Sequence, residues 1–322
     1  MWLNEGFTVF IERKVSGILN GADFAKVEAL LGNADLRQSV LDYEPINPTY
    51  STLHPVLMGD NADNSFSEVP YEKGFQLLTF LENIDGVGAD GIQAFIGFHV
   101  ARNSLTSITS PILRATWEEW VEQYFTDAGE VNRVLGSINF EDWLMTDDVK
   151  YDDDFFKTDQ SDEARDLALA YIAGAGTDTP SNYADYNGWY SNLKVVFHNT
   201  LKMSFEQVDL AIVTKIDEDL DITADEDPEV RERWYYVTLS LEYTPVYTPA
   251  EAWVGSLGRL KYLTPVYQAL EGSGQHDTGV AWLDENRDFY CPITVHGIEK
   301  TLNLDTAKKT AAPTVLEVLI NM

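Results

Sequence analysis

Three short stretches of the chain hold side chains able to bind or transform a ligand. Trp2-Leu3-Asn4-Glu5-Gly6-Phe7 opens the sequence and places one carboxylate, Glu5, ahead of a second, Glu12, seven residues on. On a helix those two lie on nearly the same face. A carboxylate so placed can ligate a metal, or it can simply stabilise the positive end of a helix. Tyr71 sits in Val69-Pro70-Tyr71-Glu72-Lys73-Gly74. Its phenol can donate a hydrogen bond to a developing oxyanion, or the ring can serve as packing near a helix start. Gly258-Arg259-Leu260-Lys261-Tyr262 carries two cations two residues apart. In an extended stretch they project to the same side, and arginine can grip a carboxylate with two parallel hydrogen bonds. The plainer account is a pair of cations just past the end of a helix, where the dipole favours them.

Taken as strings, these segments resemble the gluzincin zinc aminopeptidases, the family of aminopeptidase N and leukotriene A(4) hydrolase, and the latter most of all. The resemblance implies that Glu5 is a zinc ligand, in a site where three protein side chains leave a fourth position for water. It implies that Glu12 orients a ligand histidine and that Tyr71 steadies the oxyanion formed during peptide hydrolysis. Asp63 matches an acid used in epoxide opening and in gripping peptide N-terminal groups. Arg259 and Lys261 match a clamp for the carboxylate end of a short peptide or of a lipid. The implied cofactor is zinc and the implied substrate a short peptide, with a lipid epoxide as a second substrate. Phe66 stands where a second tyrosine is expected, which counts against the epoxide activity more than against the peptidase activity.

One departure governs the expected mechanism. HExxH, which supplies two histidine ligands and the general base, occurs nowhere in the sequence. His54, His99, His198, His276 and His296 are too scattered to replace it. Its matching place lies before Met1. The chain is therefore expected to keep one ligand of three, to be inactive by itself, and to have the missing N-terminal half of the same protein as its partner. A reading from another class is a non-catalytic helical scaffold or a truncated gene product. Ser107-Ile108-Thr109, Phe140 to Leu144, Pro228 to Trp234 and Pro292 to Val295 follow the family in order, so the resemblance covers residues 1–304.

The chemistry has to be positioned by helices. At 322 residues the chain suits two domains better than one, since single cores rarely grow past ~250 residues. Hydrophobic residues make up 44%, ample for packed interiors. Helical spacing runs from Trp2 to Val15 and from Tyr71 to Leu81. Ser110-Pro111 and Asp227-Pro228 read as N-cap and first-turn proline, Ser204 with Gln207 and Thr248 with Glu251 as capping boxes, and Gly258 as a helix stop. Strand patterns are scarce. The expected fold is mostly α: a helical second half of a thermolysin-like catalytic domain over 1–150, an acidic linker over 151–163, an armadillo- or HEAT-like helical domain over 164–304, and a tail over 305–322.

Charge and composition narrow the partners. Asp plus Glu number 53 against 22 Lys plus Arg, for a net charge of −31. Such a surface repels nucleic acid and anionic lipid, and no run approaches the ~20 apolar residues of a membrane span. The single cysteine, Cys291, cannot form an intrachain disulfide, which fits a reducing, cytoplasmic setting.

Overall fold

The computed structural model describes residues 1–304, apart from the side chains of Asp63 and Asn64. Among the described residues all regular structure is helical and no strand occurs. The chain divides into two compact units, Met1–Thr158 and Asp159–Met322. The expected tail, 305–322, lies outside the described residues.

The first unit runs α1 (Trp2–Asn20), α2 (Ala22–Tyr43), α3 (Gly74–Asn83), α4 (Gly88–Arg102), α5 (Ser110–Tyr124), α6 (Ala128–Gly136), α7 (Phe140–Met145) and α8 (Asp153–Phe156). Gly21, at φ 102°, is the residue between α1 and α2. Only glycine reaches that backbone region without strain, so it lets two helices follow with no loop. α1 packs on α2 and α3. An aromatic core of Phe95, Trp117 and Trp120 fills the space between α4 and α5, with Phe95 edge-on to Trp117 at 4.9 Å.

Two details differ from the sequence reading here. Thr109 occupies the N-cap position of α5 without a side-chain cap, and the Ser110 hydroxyl accepts a hydrogen bond from the indole of Trp2 at 3.0 Å and meets His54 Nε2 at 2.6 Å. Part of the stretch expected as an acidic linker also packs within the first unit, which runs to Thr158. Arg37 takes Asp153 with two hydrogen bonds of 2.7 Å, and Phe156 is buried in the core. Arg37 neutralises part of the charge there, and Lys150 pairs with Asp148 just ahead of it.

The second unit runs α9 (Asp159–Ala173), α10 (Ser191–Met203), α11 (Leu210–Leu220), α12 (Pro228–Ser240), α13 (Tyr247–Val254), α14 (Leu260–Gly272), α15 (His276–Asn286) and α16 (Pro292–Thr301). α10, α12, α14 and α16 pack side by side in chain order. Asp227 caps α12 as its sequence suggests, accepting from the Glu229 amide at 2.9 Å. Neither expected capping box forms. Asp209, not Ser204, caps α11, accepting from the Ile212 amide at 3.0 Å. Thr248 lies inside α13, which begins one residue earlier with no side-chain cap. That helix stops at Gly255, ahead of Gly258.

Candidate functional site

Glu5 stands half-buried in the first turn of α1, with one carboxylate oxygen accepting from Asn4 Nδ2 at 3.1 Å. Tyr71 stands in a π-helical turn, Val69–Lys73, that leads directly into α3. Two glycines bring these elements together. A Cβ on Gly6 would lie 2.7 Å from the Gly74 backbone, and one on Gly74 would lie 2.8 Å from Gly6 Cα. The crossing therefore excludes every side chain larger than hydrogen, and it sets Glu5, one residue before Gly6, within electrostatic reach of Tyr71. Burial, the Glu5 charge and the Glu68 charge hold the Tyr71 phenol above its ordinary range. It stays protonated at neutral pH and keeps a hydrogen to donate.

A buried ion pair fixes the same crossing from behind. Arg13 on α1 grips Glu72, the neighbour of Tyr71, with bonds of 2.7 and 2.8 Å, and its guanidinium lies 4.1 Å from the centroid of the Phe75 ring. Gly32 on α2 leaves the room, since a Cβ there would fall 2.3 Å from the Glu72 carboxyl carbon and 2.4 Å from Arg13. Burial pushes the Glu72 carboxyl up, and the Arg13 charge opposes it. Next along, Lys73 is fully buried and donates to the carbonyls of Thr146 at 2.5 Å and Ser51 at 3.4 Å. Burial lowers its ammonium to about 8. Each residue of Tyr71-Glu72-Lys73 thus points to a different neighbour, as a tight π turn permits.

Around Tyr71 the remaining candidates fare unequally. The Phe66 ring stands edge-on to Tyr71 with centroids 6.5 Å apart, and the Tyr43 hydroxyl holds the Phe66 carbonyl at 2.8 Å. The Asp63 side chain lies outside the described residues. Glu12 is exposed, on the face of α1 that also carries Glu5. Among the described residues no three His, Cys, Asp or Glu side chains cluster as a metal site would require. Glu5 is a candidate ligand without companions, and the donor set present does not by itself fit zinc.

In the second unit the Gly258-Arg259-Leu260-Lys261 string is not extended. Arg259 is the N-terminal flanking residue of α14, with extended angles of φ −86° and ψ 119°, and Lys261 lies in the helix's first turn. The two cations therefore mark a helix start rather than its end, at the positive pole of the dipole, which favours a bound anion and not a lysine. α16 holds the turn in place. Thr294 donates to the Gly258 carbonyl at 2.6 Å, and Gly297 approaches Leu260 so closely that a Cβ would sit 2.7 Å from it. Pro265 inside α14 cannot donate to the Lys261 carbonyl, which loosens the helix there.

Lys261 is also engaged. Its ammonium lies 2.5 Å from Glu229 on α12, whose same oxygen accepts from the Tyr262 hydroxyl at 2.9 Å and whose other oxygen meets Arg233 at 3.0 Å. Burial alone would raise the Glu229 carboxyl, but the bonds and charges of Lys261, Tyr262 and Arg233 outweigh it and hold it below the usual range. Among the described residues Arg259 joins no ion pair, and its guanidinium lies 5.4 Å from the Tyr262 ring centroid. Sequence reasoning passed over Glu229, Thr294, Gly6 and Gly74 as chemistry. The first two stood in strings that followed the family, and the glycines flanked the candidates themselves.

Comparison with known proteins places both units. Residues 1–137 match the model of the peptidase family M1 domain, and residues 189–302 that of the leukotriene A4 hydrolase C-terminal domain. Leucine aminopeptidase 2 of Emericella nidulans is 29% identical over 302 residues, 94% of this chain and 47% of that protein. Leukotriene A-4 hydrolase of Xenopus laevis is 26% identical over 311 residues, 95% of this chain and 49% of that protein. The structure of yeast LTA4 hydrolase in complex with bestatin superposes with a TM-score of 0.82 at 26% identity, covering 94% of this chain and 50% of that one. The chain spans about half the length of the curated relatives it matches. With a peptidase family M1 domain match in its first unit and a leukotriene A4 hydrolase C-terminal match in its second, the chain resembles the M1 peptidases and leukotriene A4 hydrolases in both units.

Proposed function

We propose that this chain supplies part of the active site of an M1 aminopeptidase acting on short peptides. The observation that carries the reading is the Gly6–Gly74 crossing, which brings the Glu5 carboxylate within electrostatic reach of the protonated Tyr71 phenol. In this reading Glu5 is one ligand of a zinc ion whose remaining ligands lie on a segment bearing HExxH, which this sequence lacks. Bound zinc would supply a polarised water for hydrolysis. The chain's own contributions are separate from that step. Tyr71 donates its phenolic hydrogen to the oxygen that gains charge as the peptide carbonyl becomes tetrahedral. Glu12 turns a histidine ligand by accepting its second ring N–H. Asp63 takes the peptide's N-terminal ammonium. Arg259, with Lys261 beside it, receives the carboxylate of a short peptide.

Residues 1–150 would then be catalytic, 164–304 would present the clamp, and 151–163 would join them. A peptide fits better than a lipid epoxide, because Phe66 has no hydroxyl to offer beside Tyr71. Among the described residues no helix is long and apolar enough to cross a membrane, which is compatible with a cytoplasmic enzyme. A non-catalytic helical module remains the second reading, favoured by the absence of HExxH from the sequence.

The two are separated by assaying leucine and alanine p-nitroanilide hydrolysis and zinc content. The chain is tested alone and after co-expression with an HExxH-bearing first half taken from a relative. The expected result is no turnover and no retained zinc alone, and turnover in the pair that Glu5→Gln and Tyr71→Phe abolish. Turnover and bound zinc in the chain alone would refute the proposed division of ligands. A folded pair that binds zinc yet never turns over would favour the non-catalytic reading.

A further inference from the structure

The two cations of the candidate clamp are not equivalent. Lys261 already faces a carboxylate at 2.5 Å, and that carboxylate is anchored on α12 by Tyr262 and Arg233. Arg233 is in turn shared with Glu232 at 2.9 Å. Of the three cations Arg259, Lys261 and Arg233, Arg259 alone pairs with neither Glu229 nor Glu232 among the described residues. An incoming carboxylate would find Arg259 free among the described residues, with its planar fork available for two hydrogen bonds. To reach the Lys261 ammonium it would have to share it with Glu229.

We propose that Glu229 is a built-in competitor for the clamp: it occupies Lys261, leaves Arg259 to grip the ligand's carboxylate, and so sets how strongly a free carboxylate is preferred over its amide. The inference rests on the clamp reading of Arg259 and Lys261. Glu229 makes no contact with the ligand in this scheme and acts through Lys261. Its position is well suited to that. It sits in the first turn of α12, one quarter exposed, and it is joined to Lys261 and Tyr262 through a single oxygen. An acid at this point also offsets the cost of placing Lys261 at the positive end of α14.

The test uses the full chain and two probes, trialanine and its C-terminal amide, with affinities measured by calorimetry or by NMR titration. The ratio of the two affinities reports carboxylate selection, and a general loss of structure would weaken both probes together. In the wild-type background Lys261→Gln should lower the ratio by less than about 2-fold, whereas Arg259→Gln should lower it by about 10-fold, the loss of a bidentate grip. Glu229→Gln should raise the ratio by roughly 3-fold or more, and in that background Lys261→Gln should remove the gain, since a freed ammonium adds a second charge to the site.

A 10-fold cost of Lys261→Gln with Glu229 intact would overturn the proposal, and that measurement stands even if Glu229→Gln does not fold. A ratio unchanged or lowered by a folded Glu229→Gln would also overturn it. The clamp reading fails separately, and takes this inference with it, if the wild type shows no preference for trialanine over its amide or if Arg259→Gln leaves the preference intact.

Discussion

Replacing Gly6 by alanine should destabilise the first unit while the same change at Gly97 stabilises it. Both glycines lie inside helices at ordinary helical angles, Gly6 in α1 and Gly97 in α4. On intrinsic preference alone each substitution would gain about 0.5–1 kcal/mol. At Gly97 nothing lies within 4 Å of the added Cβ, so the gain should survive. At Gly6 the Cβ would meet Gly74 Cα and its carbonyl carbon at 2.7 Å. Carbon atoms settle at ~3.5–4.0 Å, so α1 would have to withdraw by roughly 0.8–1.3 Å. Both sides of the contact are backbone and neither can rotate away. Overpacking of that kind costs about 1–3 kcal/mol, occasionally more, which exceeds the propensity gain. With ~2–4 °C per kcal/mol for a domain of this size, Gly6→Ala should melt several degrees lower and Gly97→Ala slightly higher than wild type.

The same variant has a chemical readout. Withdrawal of α1 carries the Glu5 charge away from Tyr71 and exposes the phenol, and both changes act to bring its ionisation back down toward the ordinary 10. Thermal and urea unfolding by circular dichroism, with an NMR titration of labelled tyrosine, measure the two effects. A Gly6→Ala protein as stable as Gly97→Ala, with Tyr71 unmoved, would refute the argument that this crossing positions the site.

Three other outcomes follow from buried charges. Removing either partner of the Arg13–Glu72 pair should cost about 3–5 kcal/mol, and replacing both, as in Arg13→Met with Glu72→Leu, much less; equal losses for single and double variants in urea titrations would contradict this. Lys73 is held at about 8 by burial, so between about pH 8 and 10.5 the unfolded chain binds the extra proton and stability rises with pH. The gap in unfolding free energy between wild type and Lys73→Met should therefore shift in favour of wild type by about 3 kcal/mol across that window, and parallel curves would exclude it. His198 is buried against Tyr186, and burial with the Arg233 charge holds it at about 3. Its contribution is intact above pH 6.5 and lost as the pH falls toward 3, by about 1.4 kcal/mol per unit. His198→Gln should flatten that part of the acid-unfolding curve, and an unchanged slope would speak against a neutral buried imidazole.

Much of this protein was legible in the chain. Helical spacing with almost no strand pattern gave a mostly α fold, because a 3.6-residue period cannot be mistaken for alternation over many turns. Asp227-Pro228 foretold its helix start because cap and proline act locally. Local signals failed where longer-range contacts competed. Ser110 gave its hydroxyl to Trp2 and His54 instead of capping α5, and Asp209 displaced Ser204 as the cap of α11. The acidic stretch before Thr158 packed because Arg37, far back on α2, was there to receive Asp153.

The candidate site divides in the same way. Residue types and short strings were enough to single out Glu5, Tyr71, Arg259 and Lys261, since a carboxylate, a phenol and two cations carry their chemistry with them. That the Glu5 charge reaches Tyr71 was decided only by two helices closing on a pair of glycines, a contact between residues 6 and 74 that no local pattern encodes. That Lys261 is already occupied was decided by α12 laying Glu229 against α14. Sequence fixes which groups are present and how each backbone segment prefers to coil; packing between distant segments fixes which groups meet, because only there do burial and charge act across the chain.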